Sequence, residues 1–206
     1  MKLNRRRVHG ICCSAVAAKR STLAILVLAL LAPIWMTACT KQPSVVVYVS
    51  ADESVARPIL AAFCENVIHV GPPGHGHVLK LVSNMLAMTM AASIAEGLAA
   101  AAKAGLDLRK VFEVISAGGV NSGIFRLMVG PMLDGDLGGL KFAIANAQKD
   151  LRYFTHMTEM LPTTSYLAEA AHQSFVQATN LGLGDRFIAS LFEAQETLNG
   201  TRIVPR

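Results

Sequence analysis

The sequence predicts an all-α protein, in which a bundle of helices surrounds one long central helix. From residue 72 onward the chain has almost no run of β-branched residues, whereas Ala, Leu and Met are frequent. Residues 73–104 form one long apolar segment of helix-forming residues, and short polar or glycine-containing segments separate the helical segments that follow. Hydrophobic residues make up 52% of the chain and charged residues 16%, so disorder throughout is excluded.

Start and stop signals define six helices in order. The long helix should be substantially buried, because apolar residues lie nearly all round it, and Gly105 is predicted to end it. The predicted ranges are about 73–104, 108–117, 121–133, 141–160, 163–179 and 185–198. The residues predicted to cap the later helices are Asp107, either Asn121 or Ser122, Thr163 with Thr164, and Asp185. Short connections between such helices predict a bundle with one core.

The first 39 residues are predicted to be a signal or a membrane anchor. Six of the 19 basic residues lie within the first twenty positions, so the net charge of +5 does not indicate a nucleic-acid partner. Residues 22–35 are uncharged and apolar, which fits the core of a secretory signal better than a full membrane span. Residues 36–39, MTAC, resemble a bacterial lipobox and predict lipidation of Cys39. The alternative is an uncleaved anchor, and both interpretations place the rest outside the cytoplasm at a membrane.

A short strand and helix are predicted between the signal and the bundle. Residues 45–49 form a β-branched run, and a helix is expected to begin after Ser50 or Asp52. Residues 40–65 resemble the first strand and helix of a periplasmic solute-binding protein of the iron-transporter type. Such a protein needs two α/β lobes, and the helical pattern after residue 65 does not supply them.

Lys80 is the residue of the long helix that most needs an explanation. It lies in the segment GPPGHGHVLKLVSN, residues 71–84, among Val and Leu side chains, where an unpaired ammonium is unfavourable. Asn84 is four residues later and His77 three residues earlier, so all three can share one helix face. An ammonium can transfer a proton to an oxygen of a substrate, and an amide beside it can hold an oxygen substituent by hydrogen bonding. The alternative is a lysine at the domain edge whose ammonium reaches solvent.

The same segment resembles the motif G-x-x-G-x-G-x-x-x-K-x-x-x-N of the 3-hydroxyacid dehydrogenases. That family includes 3-hydroxyisobutyrate dehydrogenase and 2-hydroxy-3-oxopropionate reductase. Further matches are the EG of residues 96–97, AGLD of 104–107, KDL of 149–151 and GLGD of 182–185. Residues 65–72, ENVIHVGP, look like the strand that precedes the long helix in that family. The resemblance covers about residues 66–200, leaves 201–206 as a tail, and implies a helical domain like the C-terminal domain of 6-phosphogluconate dehydrogenase.

The resemblance also implies roles for particular residues. Lys80 matches the catalytic lysine, which exchanges a proton with the 3-hydroxyl of a small hydroxy acid, and Asn84 matches the residue that orients this substrate. Lys149 matches a lysine that reaches the cleft for the substrate and the cofactor, NAD or NADP. Asp150 matches the residue that supports this turn of the helix. The glycines of the segment, Gly74 and Gly76 among them, allow close approach of the backbone to a ligand. His75 and His77 are interpreted as substitutions, and no metal site is expected.

Members of that family carry a Rossmann cofactor domain before the helical domain, whereas residues 1–64 resemble a lipoprotein signal and part of a solute-binding protein. A gene fusion or a broken reading frame would give this order. The chain alone is therefore expected to have negligible dehydrogenase activity and, through its uncovered apolar surface, to form a homodimer. Two alternatives remain open: a membrane-tethered helical dimerisation module without catalysis, and an iron-binding lipoprotein.

Overall fold

A computed structural model describes residues 53–206. The predicted signal, the lipidation residue Cys39 and the predicted strand at residues 45–49 lie outside the described residues. The first described helix, α1, spans Glu53–Ala61 and has no buried residue. The side chain of Arg57 donates a hydrogen bond to that of Glu53 one turn earlier, and this contact lowers the pKa of Glu53.

The prediction of an all-α bundle is confirmed for the described residues. Six α-helices follow α1: α2 (His75–Lys103), α3 (Leu108–Ala117), α4 (Gly123–Met132), α5 (Ile144–Met160), α6 (Tyr166–Ala178) and α7 (Leu191–Asn199). Within residues 53–206 the only strand-like pairing is a single antiparallel bridge between Ala143 and Phe187. The strand predicted at residues 65–72 is wrong, because this segment has no neighbouring strand with which to pair in the described part of the chain.

Helix α2 is the centre of the bundle and contacts each of the five helices that follow it. Its second half carries small buried residues, including Ala91, Ala95 and Ala99, which let the neighbouring helices approach closely. The prediction that the long helix is substantially buried is wrong for its first half, where Val78 and Leu86 are exposed. By length and composition alone α2 could also cross a membrane, but its contacts are those of the central helix of a bundle.

Two of the predicted helix caps are confirmed. The side chain of Asp107 accepts a hydrogen bond from the backbone N–H of Arg109 at 2.9 Å and begins α3. Of the two candidates for α4, Ser122 is the cap, and it accepts from the N–H of Phe125 at 3.0 Å. Gly105, predicted to end the long helix, has a φ of 78°, a left-handed conformation that favours glycine at this position.

Three predicted helix starts are wrong. Helix α6 begins at Tyr166 rather than after Thr163 and Thr164, because the N–H of Thr163 still bonds to the carbonyl of Thr158 in the preceding helix. Asp185 lies in a turn, and a short 3₁₀ helix, Ile188–Ser190, precedes α7. The helix predicted from residue 141 begins at Ile144.

The start of α5 is fixed by backbone atoms that are distant in the sequence. The N–H groups of Ile144 and Ala145 donate to the carbonyls of Arg186 and Gly184, both at 2.9 Å. These bonds satisfy two of the donors that a helix start leaves without partners, so no side-chain cap is needed. A π-helical turn, Thr179–Leu183, with a left-handed Gly182 brings this segment back to α5.

One continuous hydrophobic core lies between the helices. Its largest fully buried side chains include Phe175, Phe192, Met128 and Met132. The segment predicted as a tail also packs against this core, because Ile203 is buried. Its N–H donates to the carboxylate of Glu196, which fixes the chain end to α7.

Candidate active site

Lys80 and Asn84 lie one turn apart on α2, and both reach the same carboxylate of α5. The Nζ of Lys80 donates to Oδ2 of Asp150 at 2.5 Å. The Nδ2 of Asn84 donates to the same oxygen at 2.6 Å. The spacing that placed the two side chains on one face therefore corresponds to a shared acceptor on the neighbouring helix.

Asp150 is the buried member of this group. Its side chain is 3% exposed, while that of Lys80 is 36% exposed. A buried carboxylate is strongly unfavourable unless it is paired and hydrogen-bonded, and here two donors from α2 meet that requirement. Lys80 is thus neither free in solvent nor isolated among apolar side chains, because its ammonium is held at the edge of the core by Asp150.

Lys149 adds a second ammonium beside the same carboxylate. Its Nζ is 3.5 Å from Oδ1 of Asp150, and its side chain is 49% exposed. The ammonium also lies 5.9 Å from the centre of the Tyr153 ring, within the range of a cation–π contact. Two ammonium groups therefore share one carboxylate, which leaves positive charge at the surface of the site.

The glycines predicted to approach a ligand form the start of α2. Gly74 has a φ of 99° and precedes the first helical residue, and its carbonyl accepts from the N–H of His77 at 3.0 Å. Gly76 is buried and lies one turn before Lys80. Neither position bears a side chain that would narrow the space around the turn. Their role toward a cofactor stays a prediction.

The histidines of the same segment are exposed at the helix start. In residues 53–206 no three His, Cys, Asp or Glu side chains lie close enough together to hold a metal ion.

A cleft of about 780 Å³ is present elsewhere, between α2, α6 and α7, and includes Glu96 and Lys103. Glu96 is sixteen residues from Lys80, about 24 Å along the helix, so this cleft does not belong to the lysine site.

The direct bond between Lys80 and Asp150 was not predicted from the sequence. A signal was nevertheless present, because Asp150 lies at helical spacing among the apolar positions Ile144, Ala147 and Leu151. A carboxylate on the apolar face of one helix and a lysine on the apolar face of another can satisfy each other by pairing. Which helices meet could not be deduced from either segment alone.

The helical part of the chain is similar in sequence to known proteins. Residues 74–193, more than half of the chain, match the family model described as NAD-binding of NADP-dependent 3-hydroxyisobutyrate dehydrogenase. A relative from Arabidopsis thaliana, glyoxylate/succinic semialdehyde reductase 2 (chloroplastic), is 32% identical over 68% of this chain and 38% of its own length. The cytokine-like nuclear factor N-PAC of Aedes aegypti is 28% identical over 64% of this chain and 23% of its own.

The fold has a counterpart among solved structures. The crystal structure of 3-hydroxyisobutyrate dehydrogenase from Salmonella typhimurium superposes with a TM-score of 0.63 and 28% identity. The superposition covers 68% of this chain and 50% of the Salmonella chain. This chain therefore spans about half of that structure and about two fifths of the Arabidopsis relative.

Proposed function

The chain belongs to the NAD-binding family of NADP-dependent 3-hydroxyisobutyrate dehydrogenase, and from this membership we propose that its helical part supplies the proton-transfer half of a hydroxyacid dehydrogenase site. The observation that carries the proposal is the single carboxylate oxygen of Asp150 that accepts from both Lys80 and Asn84. It fixes the two groups that a hydroxy acid needs, a proton donor and an orienting amide, side by side on a rigid helix.

Lys80 is proposed to exchange a proton with the 3-hydroxyl oxygen of the substrate. An ammonium has three N–H donors, and the bond to Asp150 uses one of them. Reduction of a carbonyl requires a proton at the oxygen that becomes the hydroxyl, and the Lys80 ammonium donates it there and becomes a neutral amine. In the oxidation direction the neutral amine of Lys80 takes the proton from the hydroxyl and becomes the ammonium. When bound, the nicotinamide cofactor supplies or accepts the hydride.

Asn84 is proposed to orient the substrate beside the lysine. Its bond to Asp150 uses the NH₂ group, so the carbonyl oxygen of the amide can accept a bond from a substrate hydroxyl. Asp150 acts through both residues, because it holds the Lys80 ammonium and the Asn84 amide in one arrangement. Misplacement of either by about 1 Å can lower the rate about 100-fold.

The positive charge of the site fits the proposed ligands. A small 3-hydroxy acid carries a carboxylate, and NAD and NADP carry phosphates; the half-exposed Lys149 ammonium offers these anions a partner. The name of the Arabidopsis relative, glyoxylate/succinic semialdehyde reductase, supports a small substrate that carries both a carboxylate and a carbonyl or hydroxyl group. Lys149 and the backbone at Gly74 and Gly76 are the groups that would hold the cofactor on this side.

The full chain alone is proposed to have negligible turnover. Residues 53–206 contain no sheet that could bind a dinucleotide in the manner of a Rossmann fold. Hydride transfer needs the nicotinamide held against the substrate, with Lys80 about 3 Å from the reacting oxygen. Incubation with NAD or NADP and 3-hydroxyisobutyrate tests this proposal. Sustained formation of reduced cofactor that disappears in Lys80→Ala would contradict it.

A chimera tests the role of Lys80 itself. Residues 66–200 would replace the matching half of the Salmonella dehydrogenase, and the half outside the match would be kept. The chimera is expected to oxidise 3-hydroxyisobutyrate, and Lys80→Ala to lower kcat by at least about 100-fold. Lys103→Ala, far along α2, is the matched control and should keep the activity. Equal activity in both variants would refute the role of Lys80.

A second candidate function is not enzymatic, and one relative, N-PAC, is named as a nuclear factor and not as an enzyme. In this alternative the bundle is a dimerisation module without catalysis, tethered to a membrane through the N-terminus. The exposed apolar residues Val78, Leu79 and Leu86 of α2 support such a surface. Titration with NADP separates the alternatives, because a module of this kind has no need to bind the cofactor.

The membrane location is proposed through the lipid on Cys39. Metabolic labelling with a radioactive fatty acid in a bacterial host should mark the wild-type chain but not Cys39→Ala. Labelling of both chains, or of neither, would contradict lipidation at this residue.

A further inference from the structure

The cleft on the second half of α2 has an anionic group at one end and a cationic group at the other. Its volume of about 780 Å³ lies within the range of about 300–1,000 Å³ that is typical of small-molecule sites. Glu96 and Lys103 both line it from α2, seven residues apart. They therefore share one face of the helix, and their Cα atoms are separated by about 10 Å along its axis. We call this space, bounded by Glu96 and Lys103, the distal cleft.

Neither charge is neutralised by the described part of the chain. Across residues 53–206 no basic side-chain nitrogen lies within 4.0 Å of the Glu96 carboxylate, and no carboxylate lies within 4.0 Å of the Lys103 ammonium. The Ser174 hydroxyl donates to Oε1 of Glu96 over a long distance of 3.5 Å. Lys103 donates to the carbonyl of Asn199, the last residue of α7, and this bond uses one of its three N–H donors. Both charges thus keep hydrogen-bonding capacity for a ligand.

The space between the two charges suits a short chain that contains an amide. Ala99 and Ala100 of α2 line it there, and their small side chains leave room for a ligand. Gln177 of α6 and Gln195 of α7 also line the cleft. The Nδ2 of Asn199 donates to Oε1 of Gln195 at 2.7 Å, so the NH₂ group of Gln195 remains to donate to a carbonyl of a ligand.

We propose that the distal cleft binds a short free peptide of two or three residues, with its ammonium at Glu96 and its carboxylate at Lys103. The charges of a free amino acid are about 3 Å apart, so with a hydrogen bond of about 3 Å at each end it reaches about 9 Å. A dipeptide is about 3.5 Å longer and reaches across the separation of about 10 Å. It also supplies the amide that Gln177 and Gln195 can bind. Because Glu96 lies about 24 Å along α2 from Lys80, the proposal is independent of the proposed function.

Saturation-transfer NMR of L-alanyl-L-alanine with the full chain at low ionic strength tests this inference. The wild-type chain is expected to bind this dipeptide with a Kd of about 1–5 mM, as befits a ligand of this size. The N-acetylated dipeptide lacks the ammonium, and the C-terminally amidated dipeptide lacks the carboxylate. Each should bind at least about 5-fold more weakly than the free dipeptide. L-Alanine, which reaches only one of the two charges at a time, should show a similar loss.

Two variants assign the ends of the peptide. Glu96→Gln should weaken binding of the free dipeptide about 5-fold to 10-fold and leave binding of the N-acetylated form unchanged, because that form has no ammonium. Lys103→Gln should weaken binding of the free dipeptide as much and leave binding of the amidated form unchanged. Glu113→Gln and Lys110→Gln are the matched controls, because both residues are exposed on α3, outside the cleft, and they should leave every Kd unchanged. Melting temperatures should show that the variants are folded; Glu96→Gln carries the test if Lys103→Gln unfolds.

Several results would overturn the inference. These are no saturation transfer with the wild-type chain, equal binding of the free, acetylated and amidated dipeptides, and equal losses in Glu96→Gln and Glu113→Gln. Binding of L-alanine as tight as that of the dipeptide would overturn the assignment to a peptide. Lys80→Ala should leave binding of the dipeptide unchanged, and a loss as large as that in Glu96→Gln would place the peptide at the lysine site instead. Turnover of the chimera does not enter this test, so failure of the peptide site and failure of the proposed function are distinguishable.

Discussion

The two halves of α2 are both rich in apolar residues but differ in composition and in surroundings. In the second half, Ala91, Ala95 and Leu98 are buried by the helices packed against them. In the first half, Leu79 and Leu86 remain exposed, and Lys80 and Asn84 both bond to Asp150 of α5. The comparison shows that one helix serves two purposes: its second half holds the bundle together, and its first half presents functional groups.

A leucine truncation in each half tests this division most strongly. Leu98→Ala removes a side chain that is 3% exposed and should lower the free energy of unfolding by about 2–5 kcal/mol. Leu86→Ala removes one that is 55% exposed and should change it by less than about 0.5 kcal/mol. The helix propensity change is identical in both, so urea unfolding curves report burial directly. Equal losses would mean that α2 is buried evenly.

The carboxylate that links the two helices gives the next largest expected effect. Asp150→Ala leaves the Lys80 ammonium and the Asn84 amide without their acceptor at the edge of the core, and should destabilise the fold by about 1–3 kcal/mol. Asp134→Ala is the matched control: its pair with Arg109 is exposed on both sides and contributes below about 1 kcal/mol. Both are measured by urea unfolding, and a larger loss for Asp134→Ala would refute the structural importance of Asp150.

The exposed first half also predicts self-association. Leu79→Ser with Leu86→Ser removes two exposed apolar side chains and should shift the full chain toward the monomer in sedimentation velocity runs. Val114→Ser also replaces an exposed apolar side chain with serine, but on α3. It should leave the proportions of monomer and associated forms unchanged. Loss of association in Val114→Ser alone would place the contact surface on α3 instead.

The same comparison explains what the sequence could predict. Asp107 and Ser122 were recognisable as caps because their bonds reach only two or three residues along the chain. Three helix starts were missed, and for α5 the reason is that its first N–H groups bond to carbonyls about forty residues later, which no local pattern reveals. The apolar pattern of α2 is nearly the same on all sides, so it could not show which half would be covered.

The candidate site also has one part that the sequence could predict and another that it could not. The spacing of Lys80 and Asn84 predicted one shared face, because four residues make about one helical turn. The bonds to Asp150 join positions separated by 70 and 66 residues, so they depend on how α2 docks against α5. Local sequence therefore predicts which groups are presented together, and the packing of the bundle decides what they meet.

The smallest expected effect concerns pH and the pair of helices α5 and α6. Burial, reinforced by Arg152 and His156 and opposed by Glu169, lowers the pKa of His172 below its ordinary value of 6.5. The unfolded chain then takes up a proton at higher pH than the folded chain does. Stability should therefore fall as the pH decreases below about 6.5 and level off once the folded form is also protonated.

Substitution of this histidine should remove that component of the pH dependence. His172→Gln is expected to flatten the curve of melting temperature against pH below about 6.5, relative to wild type. His77→Gln, at an exposed position of α2, is the control and should leave the curve unchanged. Parallel curves for wild type and His172→Gln would show that protonation of this imidazole does not oppose the packing of α6 on α5. A flattened curve would show that protonation of His172 destabilises the folded chain in acid.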